Sequence, residues 1–193
     1  EIPLRLVGSE MCIRDRTYAQ TPRDRATELK EQAQSSLNQK DYIKARYLFK
    51  KAYEAFATRE NYPQAIECGV QANALYVREN FYKEGFELCR DMDQLIWAGE
   101  QNQKKVFYDL RFLVNKERLQ MYTALKNPAQ AKTQLNKLEE TANLAKNDSL
   151  TEVLLYTKAN YYYTFNQNTQ GDARFRKLIN QYKEKKDYAK VSD

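Results

Sequence analysis

The feature that most constrains this 193-residue chain is a stripe of side chains that returns at a near-constant interval. Ala45, Phe49, Ala52 and Phe56 fall at i, i+4, i+7 and i+11, which puts them on one face of an α-helix. The same spacing returns as Gly85, Cys89, Met92 and Ile96, then as Ala131, Leu135, Leu138 and Ala142, and finally as Gly171, Phe175, Leu178 and Tyr182. Every copy opens with a residue no larger than Ala. The openers lie 40, 46 and 40 residues apart (45 to 85, 85 to 131, 131 to 171). A repeat of that length marks a stacked helical array, in which each unit hides its apolar stripe under the next.

The composition agrees. With 5 Gly and 4 Pro the chain has too few turn formers for an all-β fold. The pattern predicts helices over about 24–38, 42–58, 61–79, 82–99, 103–125, 126–146, 147–165 and 169–185, with 187–191 opening a ninth that is cut short. Connections of a few residues make neighbouring helices antiparallel. Thr21-Pro22 gives a start signal and Gly99 a C-terminal cap. Asp41-Tyr42, Asn61-Tyr62, Asn80-Phe81 and Asp187-Tyr188 each set a capping Asx beside an aromatic that can staple the corner. The expected fold is an all-α solenoid of about four hairpins over residues 24–193, after a linker at 17–23. Leu6-Val7-Gly8-Ser9-Glu10-Met11-Cys12-Ile13-Arg14-Asp15-Arg16 resembles translated sequencing-adapter DNA, so residues 1–16 read as a non-native leader.

Chemistry is sparse. The chain has no His, which removes the commonest general base and metal ligand. Acid pairs such as Glu139-Glu140 and Asp91 with Asp93 sit on polar helix faces, and too few glycines exist for a phosphate loop. No cofactor, metal site or enzymatic activity is expected. The net charge of +6 is spread among interleaved acids and bases, so it marks solvated faces rather than a nucleic-acid platform. Cys68 and Cys89 come to similar heights on antiparallel helices. A disulfide is one reading and two buried thiols the simpler one.

Twelve residues before the small openers stand Ala33, Asn73, Leu119 and Ala159, and nine before stand Ser36, Tyr76, Tyr122 and Tyr162. A small residue and an aromatic on the first helix, then small-aromatic-small on the second, resembles the tetratricopeptide repeat (TPR) family. Ala33 with Ala45, and Ala159 with Gly171, match its close-contact slots. Phe49 and Phe175 match the aromatic slot, and Ala52 the later small one. Asn73, Leu119, Cys89, Leu135, Met92 and Leu178 depart from the pattern, and the period is longer than the usual 34. The resemblance implies a right-handed superhelix with the first helix of each pair on the inner wall. Asn-Asp-Ser-Leu-Thr at 147–151, the run at 155–165 and the run at 61–69 also resemble TPR proteins of Bacteroidales, in which the repeats precede a membrane helix and a histidine-kinase-like region.

An inner wall of that kind would carry Lys30, Gln34, Val70, Ala74, Arg78, Lys116, Gln120, Tyr156, Asn160 and Tyr163 as a ligand groove. In Tyr161-Tyr162-Tyr163 successive residues lie 100° apart, so not all three can face the core. With Tyr162 between repeats, Tyr163 joins Tyr156 and Asn160 on the inner surface, either to capture a ligand or to pack on a following helix. The carboxylate clamp of some TPR domains is not matched, since Lys30 is followed by Gln34 and the next repeat offers Val70 and Ala74.

The function expected is therefore non-catalytic binding of a protein or peptide segment, as the sensory or docking part of a larger signalling protein, with a lean towards the extracytoplasmic side of a membrane. The alternatives are a structural spacer that packs on its own downstream segment, and a nucleic-acid-binding module.

Overall fold

The structure, a computed structural model, describes residues 24–184. The adapter-like leader, the linker, the Thr21-Pro22 signal and the ninth helix all fall outside these residues. Among the described residues the chain is all α-helix, with α1 (Arg25–Asn38), α2 (Tyr42–Thr58), α3 (Tyr62–Arg78), α4 (Tyr82–Gln103), α5 (Tyr108–Ala124), α6 (Pro128–Ala145), α7 (Asp148–Thr164) and α8 (Asn168–Glu184).

The helices start where an Asx side chain can satisfy an exposed N–H. Asp24 accepts from Ala26 N, Asp41 from Lys44 N, Asn61 from Gln64 N, Asn127 from Gln130 N and Asn147 from Ser149 N. Asn80 is an exception to the expected pattern. The N-cap is Phe81, which makes no side-chain cap bond, and Asn80 supplies the left-handed turn before it.

The ends follow one rule. Each corner holds one residue at positive φ, namely Lys40, Glu60, Asn80, Lys104, Lys126, Lys146 and Asn166. At Lys40 the backbone N–H donates to Leu37 O while Asp41 N–H reaches Ser36 O. The same pair of bonds closes the corners at Glu60, Asn80, Lys126 and Asn166. This is the Schellman closure, which satisfies the last carbonyls of a helix. Its periodicity restates the repeat: Lys40 to Asn80 and Lys126 to Asn166 span 40 residues each, and Asn80 to Lys126 spans 46.

The long interval has a structural cause. Gly99 does not cap α4; the helix continues to Gln103 and closes at Lys104, and α5 begins only at Tyr108. A Cβ at Gly99 would stand 2.8 Å from the Phe107 ring and 2.9 Å from that of Tyr62. The glycine is there for close packing, inside the helix. The next residue, Glu100, accepts a 2.9 Å bond from Phe107 N–H and pairs with Arg111, which fixes the corner.

Adjacent helices pack as antiparallel pairs, and the array is a helical-repeat solenoid. Odd-numbered helices also touch one another, α3 with α5 and α5 with α7, so they form the tighter, inner layer. The stripe read from the sequence is its core. All of Ala45, Phe49, Ala52, Phe56, Gly85, Cys89, Met92, Ile96, Ala131, Leu135, Leu138 and Ala142 are buried. In the last copy Gly171 and Leu178 are buried while Phe175 and Tyr182 are half-buried.

The buried side chains fall into two clusters that meet in α5. Val114 and Met121 belong to the cluster built from α1–α4, and Phe112 and Leu119 to the one built with α6 and α7. At the joint, small and large residues trade places across the crossings. Asn73 stands where a small residue was expected, and its partner Gly85 has no Cβ to meet it; one would lie 3.0 Å from Asn73 Oδ1. Leu119, likewise buried, lies in the same cluster as Ala131.

Cys68 and Cys89 are free, buried thiols, not a disulfide. Burial pushes them up to about 11 and about 12 respectively, so they stay protonated and packed.

The α7–α8 crossing yields a direct test. The first group a Cβ at Gly171 would meet is the Tyr163 ring at 2.8 Å, rather than Ala159. Gly171→Leu should overpack the crossing and cost about 1–3 kcal/mol in denaturant unfolding. An unchanged midpoint would show that α8 can move away freely.

Candidate functional site

Of the ten inner-wall positions predicted from the sequence, the structure gathers Lys116, Gln120, Tyr156 and Asn160 into one groove between α5 and α7. Its volume is about 420 Å³. Spacing explains the convergence. Lys116, Gln120 and Thr123 lie four and three residues apart on α5, and Tyr156, Asn160 and Thr164 four and four on α7, so each set forms one face. Leu119 and Tyr161 are buried and form the floor, and Val153 and Ala124 extend the apolar lining. Tyr156 is 54% exposed, and its edge leans on the Phe175 ring with centroids 5.9 Å apart.

The other six positions do different work. Lys30 bridges α1 to α3, bonding Gln64 at 2.8 Å and Glu67 at 2.7 Å. Gln34 is exposed and donates to Asn38 at 3.2 Å. Val70 is half-buried against the first core cluster, and Ala74 is exposed without lining a groove with the rest. Arg78 sits over the Tyr42 ring at 3.9 Å, a cation–π contact between α3 and α2.

Tyr163 shares a face with Tyr156 but packs on α8. Its ring covers Gly171 and approaches Phe175 to 5.7 Å, and its hydroxyl donates to Asp172. Tyr161 takes its place as the groove aromatic, while Tyr162 is buried between helices as expected. The triplet's 100° steps could have shown that one of its outer members faces the groove, but not which, because the absent Cβ of Gly171 decides it.

Charge in the groove is one-sided. Lys116 and Lys126 line it and no carboxylate does. Behind Lys116 the next residue, Glu117, points the other way into the seam between α3 and α5. It is 2% exposed and accepts a 3.0 Å bond from Asn73 Nδ2. Burial raises its pKa above the ordinary carboxyl value, with the Asn73 bond and Lys116 pulling the other way. Glu100 is the opposite case. Its bond from Arg111 holds it low, against burial, with help from Phe107 N–H.

Among the described residues no group of three or more His, Cys, Asp or Glu could hold a metal ion, and no helix is long and apolar enough to cross a membrane. No family model matches the chain, and neither a curated protein nor a solved structure matches it. The tetratricopeptide resemblance therefore rests on the residues that carry it.

Glu117 gives a pH-dependent prediction. Its folded pKa is raised, so its favourable contribution is complete below the ordinary carboxyl range and is lost as pH rises through the folded value. Glu117→Gln keeps an acceptor for Asn73 and stays neutral. The variant should be more stable than the parent at neutral pH, with the gap closing as the pH falls below the ordinary carboxyl range. Paired urea melts at several pH values check this; a gap that widens on acidification would contradict it.

Proposed function

We propose that the chain is a non-catalytic scaffold that binds a protein or peptide segment in the α5–α7 groove. The observation that carries this reading is the half-uncovered Tyr156, set on a floor of Leu119 and Tyr161 between the side-chain amides of Gln120 and Asn160. A rigid aromatic gives contact area at low entropic cost, and the flanking amides can meet the donors and acceptors of a bound backbone. Lys116 and Lys126 favour segments with acidic residues. In this reading the repeats are the docking part of a larger signalling protein.

The test is selection from a displayed library of random peptides of about twelve residues. Binders should lose at least roughly tenfold in affinity, about 1.4 kcal/mol, on Tyr156→Ala or Asn160→Ala. Melting temperatures near the parent's would show that the variants fold. Binders indifferent to both substitutions, or no binders at all, would overturn the assignment.

A further inference from the structure

A second groove lies on the other side of α5, between α4 and α6, with a volume of about 480 Å³. We infer that it is a separate docking site for a peptide segment that pairs an apolar anchor with a carboxylate. The inference stands on its own residues and does not depend on the α5–α7 groove.

Two apolar side chains line this groove uncovered. Trp97 is 63% exposed and Leu144 is 52% exposed. Trp97 comes one residue after Ile96 of the buried stripe, and Leu144 two after Ala142, so helical rotation turns both away from the core. An exposed tryptophan opposite a leucine, with half-buried walls between, is the composition of an interface anchor rather than of a solvated face.

The floor supplies the polar half. Arg111 and Arg118 lie two turns apart on one face of α5. Neither is a loose surface charge. Arg118 Nη2 donates to Cys89 O at 2.9 Å and to Asp93 at 2.5 Å, and Arg111 donates through Nε and Nη2 to the buried Glu100. A guanidinium has five N–H donors, so these bonds fix each plane and leave Nη1 and the second N–H of Nη2 on Arg111, with Nη1 and Nε on Arg118, for a ligand. Donors already held in place need lose little freedom on binding. A carboxylate is the planar, bidentate complement of the Nη1–Nη2 end of Arg111, and Arg118 can add single N–H bonds to it. Asp93 and Glu140 also line the groove, so a segment with a single acid set among apolar residues fits better than an acidic run.

The experiment uses the full chain carrying Tyr156→Ala and Asn160→Ala, which silences the other groove whatever that groove does. A displayed random-peptide library is selected on it, and synthetic copies of the winners are titrated. Trp97 is the only tryptophan in the sequence, so its emission reports on this groove alone. The expected winners combine Leu, Phe or Met with one Asp or Glu, and shift or quench Trp97 emission. They should weaken at least roughly tenfold on Leu144→Ser in the protein, and several-fold when their own acid is changed to the amide. Leu144→Ser replaces an exposed side chain, and an unchanged far-UV circular dichroism melt confirms its fold. An empty selection overturns the inference. So do winners that leave Trp97 emission unchanged, ignore Leu144→Ser, or bind equally well as amides.

Discussion

The array depends on one helix being able to bury two faces. An ordinary surface helix hides a single stripe, and a solenoid built only of such helices would be a row of separate pairs. Here α5 gives Val114 and Met121 to one core and Phe112 and Leu119 to the other, all nearly inaccessible. Each large side chain so buried contributes about 1.5–3 kcal/mol, which is large against the net stability of a domain. The corner before α5 differs from the others for the same reason. Gly99 lets Tyr62 and Phe107 close in, and Glu100 binds Arg111, so α5 is set at a depth where both its faces meet partners.

Both grooves follow from that placement. With α5 buried front and back, its remaining polar residues emerge on two narrow faces. Lys116 and Gln120 reach the α7 side, and Arg111, Asn115 and Arg118 reach the α4–α6 side. The seam with α3 cannot be wholly apolar either. Asn73 and Glu117 meet there, with Asn73 Oδ1 buried and lacking a hydrogen-bond partner. A buried carboxyl with one amide partner lowers stability at neutral pH.

Much of this could be read from the residues. Four i, i+4, i+7, i+11 stripes and their spacing of 40, 46 and 40 residues located the hairpins, because that pattern is the direct imprint of one-sided burial. The Asx residues at 41 and 61 marked their starts for an equally local reason. What failed was set by distant partners. Gly99 looks like a cap until Tyr62, thirty-seven positions earlier in the numbering, is seen against it. Likewise the spacing of Tyr156, Asn160 and Tyr163 places them on one face, but only Gly171 on the following helix explains why Tyr163 is drawn onto α8. Trp97 and the arginines behind it carried no pattern of their own, since an exposed side chain next to a buried stripe is what any amphipathic helix shows.

The central claim is that α5 holds both halves together, and native-state hydrogen exchange tests it most directly. Under EX2 conditions with low denaturant, the amides of α5 should open no earlier than those of α2 on one side and α6 on the other. Leu119→Ala, which empties one face of α5, should lower protection in α6 and α7 and also in α3 and α4. If α5 opens in a step below both neighbours, or if Leu119→Ala leaves α3 and α4 untouched, the two cores are independent and α5 is not the shared element.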